Sequence, residues 1–589
     1  MKNLIGVLML TILTCYCHCK PGTPQIRWGT HKYALVELNE QAQSYENLIT
    51  ANRNNVDVVL EWDVWSGSKG SSVQFLIDNK VVKNGTIQEL ASQKIIHEIS
   101  KGGIFNAAVR LCESDGCSES ASVVLTVADT DGSHLAPIDY LWYENNVPHV
   151  KNSDRVIGAY FVEWGVYDRQ YPADKIPIPN LTHLLYGFIP LCGGDGINDA
   201  LKQIPGSFEA LQKSCSNRHD YKITIHDIWG ALQKPQKGVE AYNEPYKGNF
   251  GQLMAIKQHN PHITILPSIG GWTLSDPFFQ LNDSDKRSVF VDSVREFLKT
   301  WKFFDGVDID WEFPGGNGAN PALGNAVTDK QTYIDLLKEL RIMLDELGQE
   351  KGKRLQLTTA IGAGYDKIDV VDYQTAQQYL DHIFVMTYDF KGAWSLTDLG
   401  FQTPLHAPAW KPEEKYTTEF AIKSLLQQKV PSRKLVVGVA MYGRGWTGLT
   451  NVINNNPFEG TASGPVKGTW ENGVVDYKDI LVRYNNNVKY YDEISQSPYV
   501  YNGVDLITYD NDKSVLAKSK FVLDNNLGGL FAWEIDADNG DLLNAMNVGL
   551  GNAEQTYSSL LKLKHGYKTL LCPLKSVLIY AINSICTDK

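Results

Sequence analysis

Eight apolar, strand-like runs recur between residues 156 and 534, and most of them are followed by a helix-like stretch. They begin at Val156, His183, Ile263, Phe304, Leu355, Ile383, Leu435 and Gly529. Alternation of this kind is typical of an α/β protein with a (β/α)8 TIM barrel, whose active site lies at the carboxyl ends of the strands. The gap between the seventh and eighth runs is too long for one helix. We therefore expect the barrel over residues 156–551, with a small α+β domain inserted over residues 448–516.

The region before the barrel has a different pattern. Short β-branched runs such as Val56–Trp62 and Ser122–Val127 alternate with turn residues over about a hundred positions, which favours an all-β sandwich. We assign this module to residues 20–130. A polar, turn-rich stretch follows from Asp129, so residues 131–155 are predicted to be a linker.

The chain begins with Met1-Lys2-Asn3, an apolar run from Leu4 to Leu13, and then Lys20-Pro21-Gly22. This order predicts a secretory signal peptide over residues 1–19. The run is too short to span a membrane, which takes about 20 apolar residues. We expect a secreted, extracellular protein.

Cysteine usage fits the secretory pathway. Of the nine cysteines, three lie in or beside the predicted signal peptide. In an oxidising compartment we expect Cys112 to pair with Cys117 and Cys192 with Cys215, since each bond closes a short loop, although spacing does not fix connectivity. The six cysteines beyond the predicted signal peptide are accompanied by no histidine cluster, and none of them forms a Cys-x-x-Cys pair, so no zinc site is expected.

The charge balance limits the partners. Lys and Arg number 55 against 67 Asp and Glu, a net charge of −12, with no block of basic residues. Such a chain repels phosphate groups instead of displacing their counterions. We therefore expect neither nucleic acid nor an anionic membrane as a partner.

Three acids alternate with apolar residues in the fourth run, Asp308-Ile309-Asp310-Trp311-Glu312. The period of two in a strand places the acids on one face, pointing into the barrel. Converging carboxyls are costly to bury as charges, so they should share protons, and at least one pKa should rise towards that of a general acid. A solvated edge or an ion-pair network is the competing interpretation. The absence of alternating basic residues and the apolar flanks disfavour it.

The spacing of these acids also bears on mechanism. A retaining glycosidase of the usual kind needs two carboxyls about 5 Å apart on opposite sides of the scissile bond. Asp310 and Glu312 should have Cα atoms about 6.6 Å apart and approach from the same strand face. This geometry favours one acid with a helper, and a substrate that supplies its own nucleophile, as an N-acetyl group can.

Several motifs carry a resemblance to a known family. The run Phe304-Asp305-Gly306-Val307-Asp308-Ile309-Asp310-Trp311-Glu312 closely resembles the DxxDxDxE signature of glycoside hydrolase family 18, and Ser268-Ile269-Gly270-Gly271-Trp272 resembles its SxGG signature. Further matches are Met386-Thr387-Tyr388-Asp389, Met441-Tyr442-Gly443-Arg444 and Trp533-Glu534. Over residues 21–551 the chain resembles the chitinase A type of this family, a form carried by bacteria, baculoviruses and some moths. That type includes a fibronectin-III-like N-terminal module and the α+β insertion.

The resemblance implies a hydrolase acting on chitin and chito-oligosaccharides. Glu312 would protonate the glycosidic oxygen, and Asp310 would orient the acetamido carbonyl of the substrate to attack C1 and form an oxazolinium intermediate. Asp308 would hold a spare proton deeper in the barrel, and Tyr388 would hydrogen-bond the acetamido oxygen. No metal or organic cofactor is needed.

The resemblance also implies a long binding surface. Trp533 would form the floor under the sugar at subsite −1, and the other residues implied to line the cleft are Tyr160, Trp164, Phe188, Trp272, Met386, Asp389, Trp394, Tyr442, Arg444, Trp470, Glu471 and Glu534. An exposed row of Trp28, Trp65, Trp229 and Tyr242 would guide crystalline chitin into it, since sugar faces pack on rings and can still slide. For any single ring, a place in the core is the competing interpretation.

Two other functions compete with a hydrolase. A catalytically inactive chitin-binding lectin of this family typically lacks the final acid, whereas Glu312 is present. A metabolic barrel isomerase is disfavoured by the signal segment and by the absence of a Gly-rich phosphate loop. We expect a monomer.

Residues 552–589 depart from the family pattern. The apolar run Leu570–Ala581 is interrupted by Pro573 and Lys575 and is too short for a membrane span. The chain ends Cys586-Thr587-Asp588-Lys589, which is no KDEL-type retention signal. We interpret this tail as an altered reading frame or a disordered extension.

Overall fold

The computed structural model of the protein describes residues 20–138 and 140–555. Eight parallel strands close into a barrel in which each pairs with the next and the last pairs with the first, so the predicted fold class is confirmed. The strands are β1 Val156–Val162, β2 His183–Ile189, β3 Thr264–Gly270, β4 Gly306–Asp310, β5 Gln356–Gly362, β6 His382–Met386, β7 Leu435–Ala440 and β8 Gly529–Trp533.

The barrel strands are buried on both faces, as expected where helices cover a closed parallel sheet. In β1, Ile157 and Phe161 join the large core between sheet and helices, whereas Tyr160 joins the inner core of the barrel. The helices outside the strands are Ser207–Ser214, Gly248–His259, Ser284–Thr300, Ala326–Lys351, Thr418–Gln427, Asp512–Asp524 and Asp541–Gly549. The longest starts where the Asn325 side chain accepts two backbone N–H bonds, and it ends at Gly352 in the left-handed conformation.

The N-terminal module is a β-sandwich, as predicted. One sheet contains Gln25–Ile26, Val56–Asp63 and Lys94–Ile99, and the other contains Lys32–Ala34, Val123–Ala128, Gly103–Glu113, Ser72–Ile77, Lys80–Asn84 and Gly116–Glu119. Trp62 from the first sheet and Phe75 from the second lie in one buried core. Alternation of buried and exposed residues in Val56–Asp63 fits a strand with one covered face.

The predicted linker is packed against the barrel. Just before it, the Asp129 carboxylate pairs with Lys302 at 2.9 Å, and the Thr130 hydroxyl donates to the Thr300 carbonyl. Within it, the strand His149–Val150 pairs with Ala553–Glu554, residues that the sequence assigned to the atypical tail. These two short strands therefore tie the end of the predicted linker to the residues that follow the last barrel helix.

The insertion between β7 and β8 is an α+β unit, as predicted, but its bounds differ. Its strands are Tyr442–Thr447, Gly464–Pro465, Val474–Asp476, Lys489–Asp492, Ser497–Tyr501 and Leu506–Thr508, and its helix is Tyr477–Arg483. The first strand begins before Gly448. The helix Asp512–Asp524 contacts β7, β8 and the helix Asp541–Gly549, so it belongs to the barrel and the insertion ends before Leu516.

Both predicted disulfides are confirmed, with Cys112 bonded to Cys117 and Cys192 to Cys215. Within residues 20–138 and 140–555, no helix is long and apolar enough to cross a membrane. The predicted signal peptide and the tail beyond residue 555 lie outside the described residues.

Candidate active site

Asp308 lies at the centre of the barrel, fully buried. The register pairs it with Ser268 on β3 and with Thr358 on β5, and both hydroxyls donate to its carboxylate, at 2.8 and 2.6 Å. The Tyr160 hydroxyl donates a third bond at 3.0 Å. Burial raises the pKa of Asp308, and these three donors oppose the rise. A carboxyl held this way can take or release a proton without moving.

Asp310 is two residues further along β4, on the same inner face and 2% exposed. Its Oδ1 atom has no hydrogen-bond partner among the residues that the structure describes. Burial raises the pKa of Asp310 well above its usual value, and the charges of Glu312 and Asp308 raise it further. A buried acceptor without a partner is costly, so Asp310 is suited to share a proton or to bind a substrate group.

Glu312 lies just beyond the end of β4 and is partly exposed. Its backbone N–H donates to the Ser275 hydroxyl at 2.8 Å, and that hydroxyl donates to the Gly271 carbonyl at 2.8 Å. Burial, and next the charge of Asp389, raise the pKa of Glu312 to about 8. Glu312 therefore keeps its proton at neutral pH, as a general acid must.

No basic group neutralises these acids. In the described parts of the chain, the groups that shift the pKa values of Asp308, Asp310 and Glu312 are other carboxyls and hydroxyl donors, not lysine or arginine. In an ion-pair network, lysine or arginine side chains would lower the pKa values of these acids. The structure thus favours the acid–base interpretation of the acidic run.

Two glycines, the last residue of β3 and the residue after it, allow close contacts with β4 and with the Phe188 ring. A Cβ atom on Gly270 would lie 2.2 Å from the Asp310 carbonyl oxygen, and one on Gly271 would lie 2.8 Å from the Phe188 ring. Both residues have positive φ, at 112° and 97°. The SxGG pattern is therefore a packing requirement of the site.

Tyr388 and Asp389 follow β6, which is two strands away from β4 in the barrel. Burial raises the pKa of Tyr388 well above its usual value, and the charge of Asp310 raises it further, so its hydroxyl remains a donor. The Asp389 carboxylate accepts from the Tyr442 hydroxyl at 2.6 Å and from Arg444 at 2.7 and 2.9 Å. These contacts join the barrel to the first strand of the insertion.

Aromatic rings form the walls of the cleft. Trp533 stacks on Phe188 with ring centroids 5.6 Å apart, and Tyr160 packs against Trp533 at 5.1 Å. The exposed rings are Trp164, Trp272, Trp394 and Trp470. The Arg444 guanidinium lies over Trp394 at 5.3 Å from the ring centroid. Met386 is a partly buried neighbour of the inner barrel core, and Glu471 is exposed.

Glu534, predicted to line the cleft, is held by a basic residue. Its side chain is buried, and its carboxylate is paired with Arg169, which also contacts Asp536 at 2.9 Å. Arg169 in turn lies over the rings of Trp164 and Trp470. In this arrangement Glu534 holds Arg169, and Arg169 is the charged group beside the exposed rings.

Other residues of the site have no role assigned from the sequence. Ser268 and Thr358 bind Asp308, and Ser275 binds the Glu312 backbone. The buried Gln402 side chain accepts from the Asp389 N–H and donates to the Tyr442 carbonyl. Ser268 begins the SxGG signature and Thr358 lies in a predicted barrel strand, whereas Ser275, Gln402 and Arg169 lie outside the predicted strands.

The four residues of the predicted surface row are exposed: Trp28 is 99% exposed, Trp65 78%, Trp229 50% and Tyr242 93%. Trp28 and Trp65 lie on the N-terminal module, and Trp229 and Tyr242 lie in the long connection between β2 and β3. Exposure on this scale excludes a place in the core for these four rings.

Together, a protonated acid, a partnerless buried carboxyl and a ring-lined cleft at the top of a barrel define a site suited to cleaving glycosidic bonds. Residues 156–538 match the family described as glycosyl hydrolases family 18, and residues 18–153 match the domain described as chitinase A, N-terminal domain. The protein belongs to glycosyl hydrolase family 18.

Individual relatives agree with this assignment. The chain is 59% identical to a chitinase of Autographa californica nuclear polyhedrosis virus over 93% of this chain and 98% of the relative. It is 45% identical to chitinase A of Pseudoalteromonas piscicida over 91% of this chain and 69% of the relative. Among solved structures, chitinase ChiA74 from Bacillus thuringiensis superposes with a TM-score of 0.60 and 29% identity, covering 68% of this chain and 71% of that one.

Proposed function

We propose that the protein is a chitinase that hydrolyses β-1,4 linkages between N-acetylglucosamine units. The observation that carries this proposal is Glu312, whose pKa of about 8 leaves it protonated at the carboxyl end of β4. The names of the relatives support chitin as the substrate. The direct test is release of new reducing ends from chitin by the purified protein. Failure to release them while the protein binds chitin would favour the lectin alternative.

The proposed mechanism uses the acids in order of depth. Glu312 donates its proton to the glycosidic oxygen as the bond to C1 breaks. The acetamido oxygen of the substrate attacks C1, with Asp310 accepting the amide N–H and Tyr388 donating to the amide oxygen. Water then opens the oxazolinium ring, and Glu312, now ionised, takes the proton of that water. The partnerless Oδ1 atom of Asp310 supports this role, because a substrate N–H would satisfy it.

Asp308 and Asp310 share the remaining proton in this scheme. Asp308 already receives three hydroxyl donors, so it is better able than Asp310 to carry a negative charge. Asp310 can then stay neutral while Glu312 is ionised between the two steps. Secretion remains part of the proposal, and the paired cysteines support it, since disulfides persist in oxidising compartments.

Asp389→Asn should move the alkaline limb of the kcat/KM profile to lower pH. The Asp389 charge raises the pKa of Glu312, and Glu312 must be protonated to act, so removing the charge lets Glu312 lose its proton at a lower pH. The profile is measured on a soluble chito-oligosaccharide. Asp345→Asn, which removes a carboxylate paired with Arg341 on an outer helix, is the matched control and should leave the limb in place. A limb that moves upward in Asp389→Asn would contradict the assignment.

The surface row predicts a substrate-dependent defect. Trp28→Ala, Trp65→Ala and Trp229→Ala should each lose activity several-fold on crystalline chitin and keep it on a soluble tetramer, which fits within the cleft. Ring stacking on nucleic-acid bases is worth about 1–3 kcal/mol, and we take sugar stacking to be no stronger. Trp142→Ala removes an exposed ring outside the row and serves as the control. Equal losses on both substrates would show that these rings support the fold instead of guiding the polymer.

A further inference from the structure

Two short turns carry one ring of the cleft and one ring of the surface row. Trp164 lies in the turn Glu163–Val166, directly after β1. Trp229 begins the turn Trp229–Gln233, in the connection after β2. The two turns contact each other. Their relative position therefore sets how Trp229 lies relative to Trp164.

One side chain joins these turns. Glu163 is 4% exposed, and its Oε2 atom accepts from the Asp227 N–H at 3.1 Å. Asp227 comes two residues before Trp229, and its carbonyl accepts from the Ala231 N–H at 3.0 Å. The Glu163 carboxyl thus binds the backbone where the second turn begins.

Three further hydrogen bonds hold Glu163 and Asp227 in place. The Tyr186 hydroxyl donates to Oε1 at 3.1 Å, and the buried Asn249 amide donates to the Glu163 carbonyl at 3.1 Å. The Tyr167 hydroxyl, from just beyond the first turn, donates to the Asp227 carboxylate. A Cβ atom on Gly230 would lie 2.5 Å from that carboxylate, so the start of the second turn has no room for a larger residue at this position.

Glu163 has no role in the proposed chemistry, and within residues 20–138 and 140–555 no basic side chain forms an ion pair with it. The titratable groups around Glu163 are Asp227, Tyr186 and Tyr167. The Lys234 ammonium lies 5.3 Å from the centroid of the Tyr167 ring. Burial, and next the charge of Asp227, raise the pKa of Glu163 well above its usual value. A buried acid of this kind is costly for stability unless hydrogen bonds hold it, as they do here.

We propose that Glu163 is a positioning residue that ties the turn of Trp164 to the turn of Trp229 and so keeps the surface row in line with the cleft. The inference rests on the proposed function, specifically on the guiding role of Trp229. It concerns how the protein binds insoluble chitin. Cleavage of the glycosidic bond still depends on Glu312.

The test is the ratio of activity on crystalline chitin to activity on a soluble tetramer. Glu163→Gln keeps an acceptor for the Asp227 N–H and a polar group facing Tyr186, whereas Glu163→Met fills the same space without either hydrogen bond. We expect Glu163→Gln to stay within about twofold of the wild-type ratio. Glu163→Met should lower it at least several-fold, towards the value of Trp229→Ala. The double variant should fall no lower than Trp229→Ala alone, because both act on one element.

The outcomes separate the two proposals. If Trp229→Ala keeps the wild-type ratio, the guiding row itself fails. If Trp229→Ala lowers the ratio but a folded Glu163→Met does not, or if Glu163→Met lowers both activities equally, the positioning role of Glu163 is overturned. Should Glu163→Met not fold, Glu163→Asp, whose shorter side chain cannot reach both partners, must lower the ratio. A wild-type ratio in Glu163→Asp would also overturn the inference.

Discussion

Glu312→Gln should lower kcat on soluble chito-oligosaccharides by about 10² to 10⁴, the usual contribution of a general acid. The amide has the size of the carboxyl but no transferable proton. The Glu312 backbone N–H donates a hydrogen bond to the Ser275 hydroxyl, and the substitution leaves this bond intact. Binding to chitin should therefore survive, and a sedimentation assay with chitin measures it beside the kinetics.

A matched control separates the loss of the proton from general damage. Glu339→Gln changes an acid on an outer barrel helix that pairs with Arg287, and it should keep full activity. Near-full turnover by Glu312→Gln would show that the acid is another residue. Loss of chitin binding together with activity would point to a collapsed cleft instead.

A substrate deacetylated at the −1 unit should resist cleavage even when it binds. An intramolecular nucleophile contributes a large effective concentration, so its removal should slow hydrolysis on the order of 10²-fold or more. Chitosan oligomers of defined acetylation, compared with fully acetylated oligomers of equal length, measure the effect. Equal rates would contradict substrate assistance, as would a covalent glycosyl-enzyme trapped on Asp310.

The acidic strand was predictable from the sequence because strand periodicity is local. Alternation of Asp308, Ile309 and Asp310 determines which side chains enter the barrel, and the structure places the two aspartates inside and Ile309 in the outer core. The strand itself is shorter than the apolar run, since it ends at Asp310 and leaves Glu312 on the adjoining loop. Asp305, the first acid of the signature, lies at the opposite end of the strand, where Lys257 and Lys353 neutralise it.

Residues that support the site were not predictable, because their partners are distant in sequence. Ser275 reaches Glu312, and Gln402 reaches Asp389 and Tyr442, only once the loops have folded over the barrel. Glu534 illustrates the same limit. The motif shows that Glu534 follows Trp533 in the sequence, but only the structure shows that its carboxylate pairs with Arg169.

The contacts of the predicted linker were not predictable for a related reason. The stretch from Asp129 onward has the composition of a connection between domains. Its first two side chains nevertheless bind Lys302 and the Thr300 carbonyl, and its strand His149–Val150 pairs with Ala553–Glu554. Turn-forming composition predicts where a chain leaves a regular element. It carries no information about the surface on which the connection then lies.

The stereochemistry of cleavage tests the central claim most directly. In the proposed mechanism the acetamido group attacks C1 from one face and water replaces it from the same side as the leaving group, so the configuration at C1 is retained. Time-resolved proton NMR of an N-acetyl chito-oligosaccharide with the wild-type protein should show the new reducing ends appearing first as the β-anomer. First appearance as the α-anomer would contradict the substrate-assisted mechanism, and absence of cleavage would contradict the assignment as a chitinase.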